Sequence, residues 1–263
     1  MKPYVFVQAH RGYSSDYPEQ TMRAFKEAVA AGSDRLEMDL SLTADDRIVL
    51  HHDNTLDRTT NGSGPVRAHS LEQLRQLDAG SWKHPQFANE RIPTLEEVIT
   101  QIPPPITLNL EIKVWKLERE EILATIQKSI EIVQSLDALD RVVFSSFAME
   151  ALMHVRTLVP QARLLLIDWF DPAVNDGLSQ AIDAGLWAWT TRPQYAFPER
   201  IRRAAEAGLS THVGGSGTGE QALRYIDAGI SGLSGDDPVE LIEFLSAHGF
   251  RDQRPNIQAV IDF

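Results

Sequence analysis

Short β-rich apolar runs alternate with amphipathic helical segments along nearly the whole chain, and that rhythm constrains the fold more tightly than any other feature. Val5 to Ala9 reads as a first strand. Gln20 to Ala31 reads as a helix, because Met22, Phe25, Ala28 and Val29 fall on one face and Gly32 ends it. The strand around Leu36 to Leu40 follows, and Ile48-Val49-Leu50 extends or pairs with it. From Asp53 to about Pro93 the alternation breaks, with loop composition at Thr59 to Pro65, so residues 53–93 read as an inserted cap segment. The rhythm resumes at Thr94, whose spacing from Glu97 is that of a capping box. Strands are then expected at Thr107 to Lys113, Val142 to Ser145, Leu164 to Ile167, Leu186 to Thr190, Leu209 to Val213 and Ile230 to Ser234. A long helix is expected from Glu118 to Leu136, and Pro238 opens a last one. Eight strand and helix units predict a parallel sheet closed on itself. The expected fold is α/β, a (β/α)8 TIM barrel with a small insertion after the second strand, forming one domain over residues 1–263.

The face pattern of the second strand is unusual for a buried element. Glu37 and Asp39 share one side while Leu36, Met38 and Leu40 share the other. A solvated edge strand would also alternate in this way. Within a closed barrel, however, the inward face has no bulk solvent, and two neighbouring carboxylates there require a cation. Asn109, Glu111 and Lys113 share a face of the next barrel strand, about 4.8 Å away. Glu37, Asp39 and Glu111 can therefore converge on one ion. Three carboxylates make a hard oxygen site, suited to Mg²⁺ or Ca²⁺.

Composition narrows the partners. With 25 basic and 37 acidic residues the net charge is −12, which opposes a nucleic-acid or anionic-membrane partner. An anionic small substrate then needs a local group of cations or a metal. Cysteine is absent, so thiolate sites and disulfides are excluded. No apolar run is long enough to span a bilayer and Met1 to Val7 lacks a signal-peptide layout, so a cytoplasmic protein without stable membrane association is expected. The oligomeric state is not encoded in any recognisable feature.

Read in order, His10-Arg11-Gly12, Pro18-Glu19-Gln20-Thr21, Glu37-Met38-Asp39, His52-Asp53-Asn54-Thr55-Leu56-Asp57-Arg58-Thr59-Thr60, Pro93-Thr94-Leu95-Glu96-Glu97 and Leu110-Glu111-Ile112-Lys113 resemble the motif series of the glycerophosphodiester phosphodiesterases. The similarity is strong over residues 5–113 and weaker beyond, at Ser145-Ser146-Phe147 and Gly235-Asp236-Asp237-Pro238. It implies a metal-dependent barrel that hydrolyses glycerophosphodiesters to glycerol 3-phosphate and an alcohol. His10 and His52 would form the catalytic pair. Glu37, Asp39 and Glu111 would hold the metal, Arg11 and Lys113 would contact phosphate, and the segment after His52 would cap the barrel mouth. Two imidazoles suit this chemistry, since one can act as base while the other acts as acid near neutral pH.

Other positions carry open readings. Glu19 either orders the loop after His10 or caps the following helix, and Asp53 orients either His52 or the next turn. Arg58 could anchor the insertion by pairing with a carboxylate, and His51 is expected to be structural. Trp187 and Trp189 either line an alcohol pocket or pack against helices. The family commonly carries Trp-Thr-Val-Asn where this chain has Thr211-His212-Val213-Gly214, so His212 is a candidate replacement there. Two alternatives remain: a related barrel acting on lysophospholipid-type diesters, and a barrel that binds without turnover.

Overall fold

The computed structural model describes residues 2–251. Its elements run β1 (Phe6–Ala9), α1 (Met22–Ala31), β2 (Arg35–Leu42), β3 (Ile48–Leu50), α2 (Leu71–Leu74), α3 (Leu95–Gln101), β4 (Thr107–Ile112), α4 (Arg119–Ser135) and β5 (Val142–Ser146). They continue with α5 (Met149–Leu158), β6 (Arg163–Asp168), α6 (Gly177–Asp183), β7 (Ala188–Thr191), α7 (Pro198–Glu206), β8 (Ser210–Gly214), α8 (Glu220–Asp227), β9 (Gly232–Gly235) and α9 (Pro238–Ala247). All the strands except β3 are parallel, in the order β1-β2-β4-β5-β6-β7-β8-β9, and β9 returns to pair with β1. This is a closed (β/α)8 TIM barrel. The β3 strand is an antiparallel appendage that pairs Leu50 with Leu40 at the top of β2. Among the described residues no helix is long and apolar enough to cross a membrane.

Local chemistry fixes the element ends. The Thr21 hydroxyl accepts from the amide of Ala24 to start α1, and Gly32 stops it in the left-handed region at φ 100°. Thr94 and Glu97 form the reciprocal capping box of α3. The outward residues of β2 and β4 (Leu36, Met38, Leu40, Leu108, Leu110 and Ile112) are almost wholly buried and join one cluster with α1, α3 and α4. Each contributes about 1.5–3 kcal/mol on burial. That contribution offsets the penalty of placing charged groups on the opposite face of the same strands.

The barrel interior is divided. Val143, Leu165, Ile167 and Ala188 form a small apolar cluster on the β5 to β7 side, while acids and amides occupy the β1, β2 and β4 side. The segment between β3 and α3 packs on its own core of Leu56, Val66, Leu74, Ala79 and Ile92 against Val49, and Asp53, Asn54 and Thr55 line the cavity at the end of the barrel.

Candidate active site

Strand register assembles the carboxylates. The β2 to β4 ladder sets Glu37 beside Asn109 and Asp39 beside Glu111. Carboxylate oxygens of Glu37, Asp39 and Glu111 lie within 4.8 Å of one another. Glu37 and Asp39 are 5% and 1% exposed, so bulk water solvates neither carboxylate. Burial, reinforced by the charge of Asp39, pushes Glu37 up to about 7 and Glu111 up to about 8. Asp39 is also buried, yet Lys113, His52 and Arg11 hold it below the usual carboxylate range. Glu37 Oε2 accepts from the Arg11 amide at 2.9 Å, whereas its buried Oε1 has no hydrogen-bond partner. Three clustered hard oxygen donors, one of them with a free buried oxygen, fit a divalent cation.

The two basic residues expected at phosphate lie against these acids. Lys113 Nζ lies 3.0 Å from Asp39 and 3.7 Å from Glu111. Arg11 reaches Glu19 at 3.0 Å and Asp39 at 3.6 Å. Gln20 donates to Asp39 at 2.7 Å. The turn carrying His10 and Arg11 demands glycine at position 12, because φ is +80° and a Cβ would lie 2.7 Å from the Ala24 carbonyl carbon.

The two histidines flank the acids, each held by a carboxylate. His10 Nδ1 donates to Asp236 at 2.7 Å, leaving Nε2 on the acid side, 3.9 Å from Glu37. His52 Nδ1 donates to Asp53 at 2.6 Å. Their environments differ. Burial works against the charged form of His10, but Asp236 and Glu37 outweigh it and raise its pKa. For His52 burial prevails, helped by Lys113 and Arg11, and its pKa is lowered. Asp53 gives less support because Arg58 Nε also claims it, at 2.6 Å. Arg58 further grips Glu19 through both terminal nitrogens, at 2.8 and 2.7 Å. Glu19 therefore ties the loop after His10 to the cap segment, while the cap of α1 is Thr21. His51 is buried and contacts the Thr55 carbonyl at 3.0 Å, a structural role.

A cavity of about 980 Å³ joins these groups to the far side of the barrel mouth. Its floor is polar and neutral. Gln8 Nε2 lies 3.1 Å from Ser234 Oγ and 3.3 Å from His212 Nε2, and Asn109 donates to Gln8 at 3.3 Å. His212 thus lies in the floor, where burial and the charge of Arg35 hold its pKa well below the ordinary value.

The pocket reading of the two tryptophans fails on geometry. Trp189 points out of the barrel, fully buried, donating to Asp168 at 3.0 Å with Arg200 over its ring. Trp187 precedes β7 and turns the other way, between the guanidinium groups of Arg35 and Arg163. The aromatic wall of the cavity is instead Trp115, Phe147, Trp169 and Phe170. Three of these continue inward-facing alternations that the sequence itself carries, 111-113-115, 143-145-147 and 165-167-169. Asp236, which the sequence marks only as part of the Gly235-Asp236-Asp237-Pro238 similarity and without a role, is the partner of His10, one residue past the strand that closes the barrel.

Comparison with known proteins agrees with this geometry. The model of the glycerophosphoryl diester phosphodiesterase family matches residues 10–240. A glycerophosphodiester phosphodiesterase of Caldanaerobacter subterraneus subsp. tengcongensis is 34% identical over 246 residues, covering 92% of this chain and 98% of the relative. One from Bacillus subtilis is 30% identical over 249 residues, covering 87% and 82%. Among solved structures, an Oleispira antarctica phosphodiesterase in complex with the product sn-glycerol-3-phosphate superposes with a TM-score of 0.82 at 28% identity, covering 92% of this chain and 97% of that one. Every acid and imidazole of the site falls inside the matched span, and the chain belongs to the glycerophosphoryl diester phosphodiesterase family.

Proposed function

We propose that this protein is a metal-dependent glycerophosphodiester phosphodiesterase that releases glycerol 3-phosphate and an alcohol. The observation that carries the reading is a pair of imidazoles, each held through Nδ1 by a carboxylate, beside a triad of clustered carboxylates. Glu37, Asp39 and Glu111 would hold one Mg²⁺ or Ca²⁺, which when bound offsets charge on the phosphate oxygens.

The residues of the chain divide the proton transfers. His52, kept neutral by burial, takes the proton of the substrate's glycerol 2-hydroxyl. That oxygen bonds to phosphorus as the bond to the leaving alcohol breaks. His10, whose protonated form Asp236 favours, gives its proton to the departing alkoxide. Water then opens the cyclic phosphate with the two histidines in exchanged roles. Arg11 and Lys113 supply positive charge at the phosphate while remaining oriented by Glu19, Asp39 and Glu111. Asp53 and Asp236 fix both rings so that each presents Nε2 to substrate.

The test compares a glycerophosphodiester with its 2-deoxy analogue. Release of glycerol 3-phosphate from the first and no turnover of the second support the scheme. Full turnover of the deoxy compound removes the cyclic step, and no turnover of either removes the phosphodiesterase reading.

A further inference from the structure

The cavity extends well beyond the carboxylate triad, and its far side has a composition that the hydrolysis itself does not use. Trp115 packs on Phe147 with ring centroids 5.8 Å apart and on Phe170 at 6.3 Å, and Phe147 meets Trp169 edge to face at 5.1 Å. An aromatic wall of this kind would by itself suit a quaternary ammonium group. Two cations beside it argue otherwise. Arg192 lies over the Trp169 ring, 4.8 Å from the centroid, and Lys116 adjoins Trp115; both line the cavity. Neither makes an ion pair among the described residues, in a chain whose net charge is −12. Arg11 and Lys113, in contrast, are both engaged with acids.

The indole of Trp169 adds a donor. Its Nε1 is buried without a hydrogen-bond partner. Gly214 faces that nitrogen without a side chain; a Cβ there would sit 3.9 Å from it. A stacked guanidinium next to an unpaired indole N–H is a place for an acceptor group carrying negative charge. A choline-type cation would meet like charge there.

We infer that Arg192, Lys116 and Trp169 form a specificity subsite for an anionic substituent on the leaving alcohol, so that the preferred substrates are glycerophosphodiesters whose alcohol bears a second carboxylate or phosphate. This rests on the phosphodiesterase reading above. The cleaved phosphate sits at the triad, and the second anion reaches across the mouth to Arg192. The subsite acts through binding, so its effect falls on KM and weakens as salt rises.

The experiment measures kcat/KM for four diesters of glycerol phosphate, with glycolate, glycerol phosphate, glycerol and choline as the alcohol. The anionic alcohols are expected to exceed both others by about tenfold. Arg192→Gln should lower kcat/KM on the anionic diesters about tenfold more than on the glycerol diester, with Arg192→Lys restoring part of the loss. Lys116→Ala gives an independent variant on a solvent-exposed side chain, expected to act in the same direction. The glycolate and glycerol phosphate arms separate carboxylate from phosphate recognition. Equal losses on all four diesters in both variants, or the choline diester as the best substrate, overturn the subsite. No turnover of any diester removes the reading on which it rests.

Discussion

His10 and Asp236 are separated by 226 positions in sequence and by 2.7 Å in space. Closure of the barrel brings them together, because β1 and β9 pair Ala9 with Gly235 and each strand delivers its next residue to the mouth. The bond fixes the ring and favours its protonated form. The predicted pH profile of kcat/KM is a bell: activity rises as His52 loses its proton, below the ordinary imidazole value, and falls as His10 loses its own, above it.

Asp236→Asn tests that bond directly. Without the carboxylate, burial of His10 is no longer outweighed, so its pKa falls and the basic limb moves to lower pH. We expect kcat to drop by roughly 10- to 100-fold, less than the about 10²–10⁴-fold of general acid catalysis because His10 itself remains. An unmoved basic limb would detach Asp236 from the acid.

Arg58→Ala should act on the other limb. With the guanidinium gone, Asp53 no longer shares its charge and exerts its full field on His52. The His52 pKa rises and the acid limb moves to higher pH. Because the Arg58 side chain is 44% exposed, its ion pairs add little to stability, about 1 kcal/mol or less. A pH-rate series with a thermal melt checks both statements.

Metal affinity should climb with pH. In the absence of a cation Glu37 titrates at about 7 and Glu111 at about 8, so binding must displace protons between pH 6 and 8.5. Calorimetry in two buffers of different ionisation heat measures the release, and Glu37→Gln should weaken binding at least tenfold. Affinity flat across that range would exclude the two glutamates as ligands.

Gly232→Ala addresses the barrel itself. A Cβ at this position would lie 2.3 Å from the Phe6 ring inside the closed sheet. Overpacking of this sort costs about 1–3 kcal/mol. Chemical denaturation should show that loss, and adding Phe6→Leu should recover part of it.

Much of this was legible in the sequence, and for definite reasons. The eight strands could be read because each side of the sheet has its own pattern: outward residues such as Leu36, Met38 and Leu40 are uniformly apolar, and helices follow at regular intervals. The triad was legible because its members are two residues apart on β2 and on the adjacent β4. Contacts between distant strands were not. The pairing of His10 with Asp236 depends on barrel closure, and the position of Trp189 depends on β7 starting at Ala188 with even-numbered residues inward. The Trp169–Arg192 stack depends on where two loops leave β6 and β7, which periodicity does not encode.

The most direct measurement is release of glycerol 3-phosphate from a glycerophosphodiester by the wild-type protein and by His10→Ala, each with EDTA and after return of Mg²⁺ or Ca²⁺. Expected is turnover by the wild type that EDTA abolishes and a divalent ion restores, and a loss of at least about 100-fold in the variant with the divalent ion present. Equal rates with and without chelator, and in the variant, would contradict it.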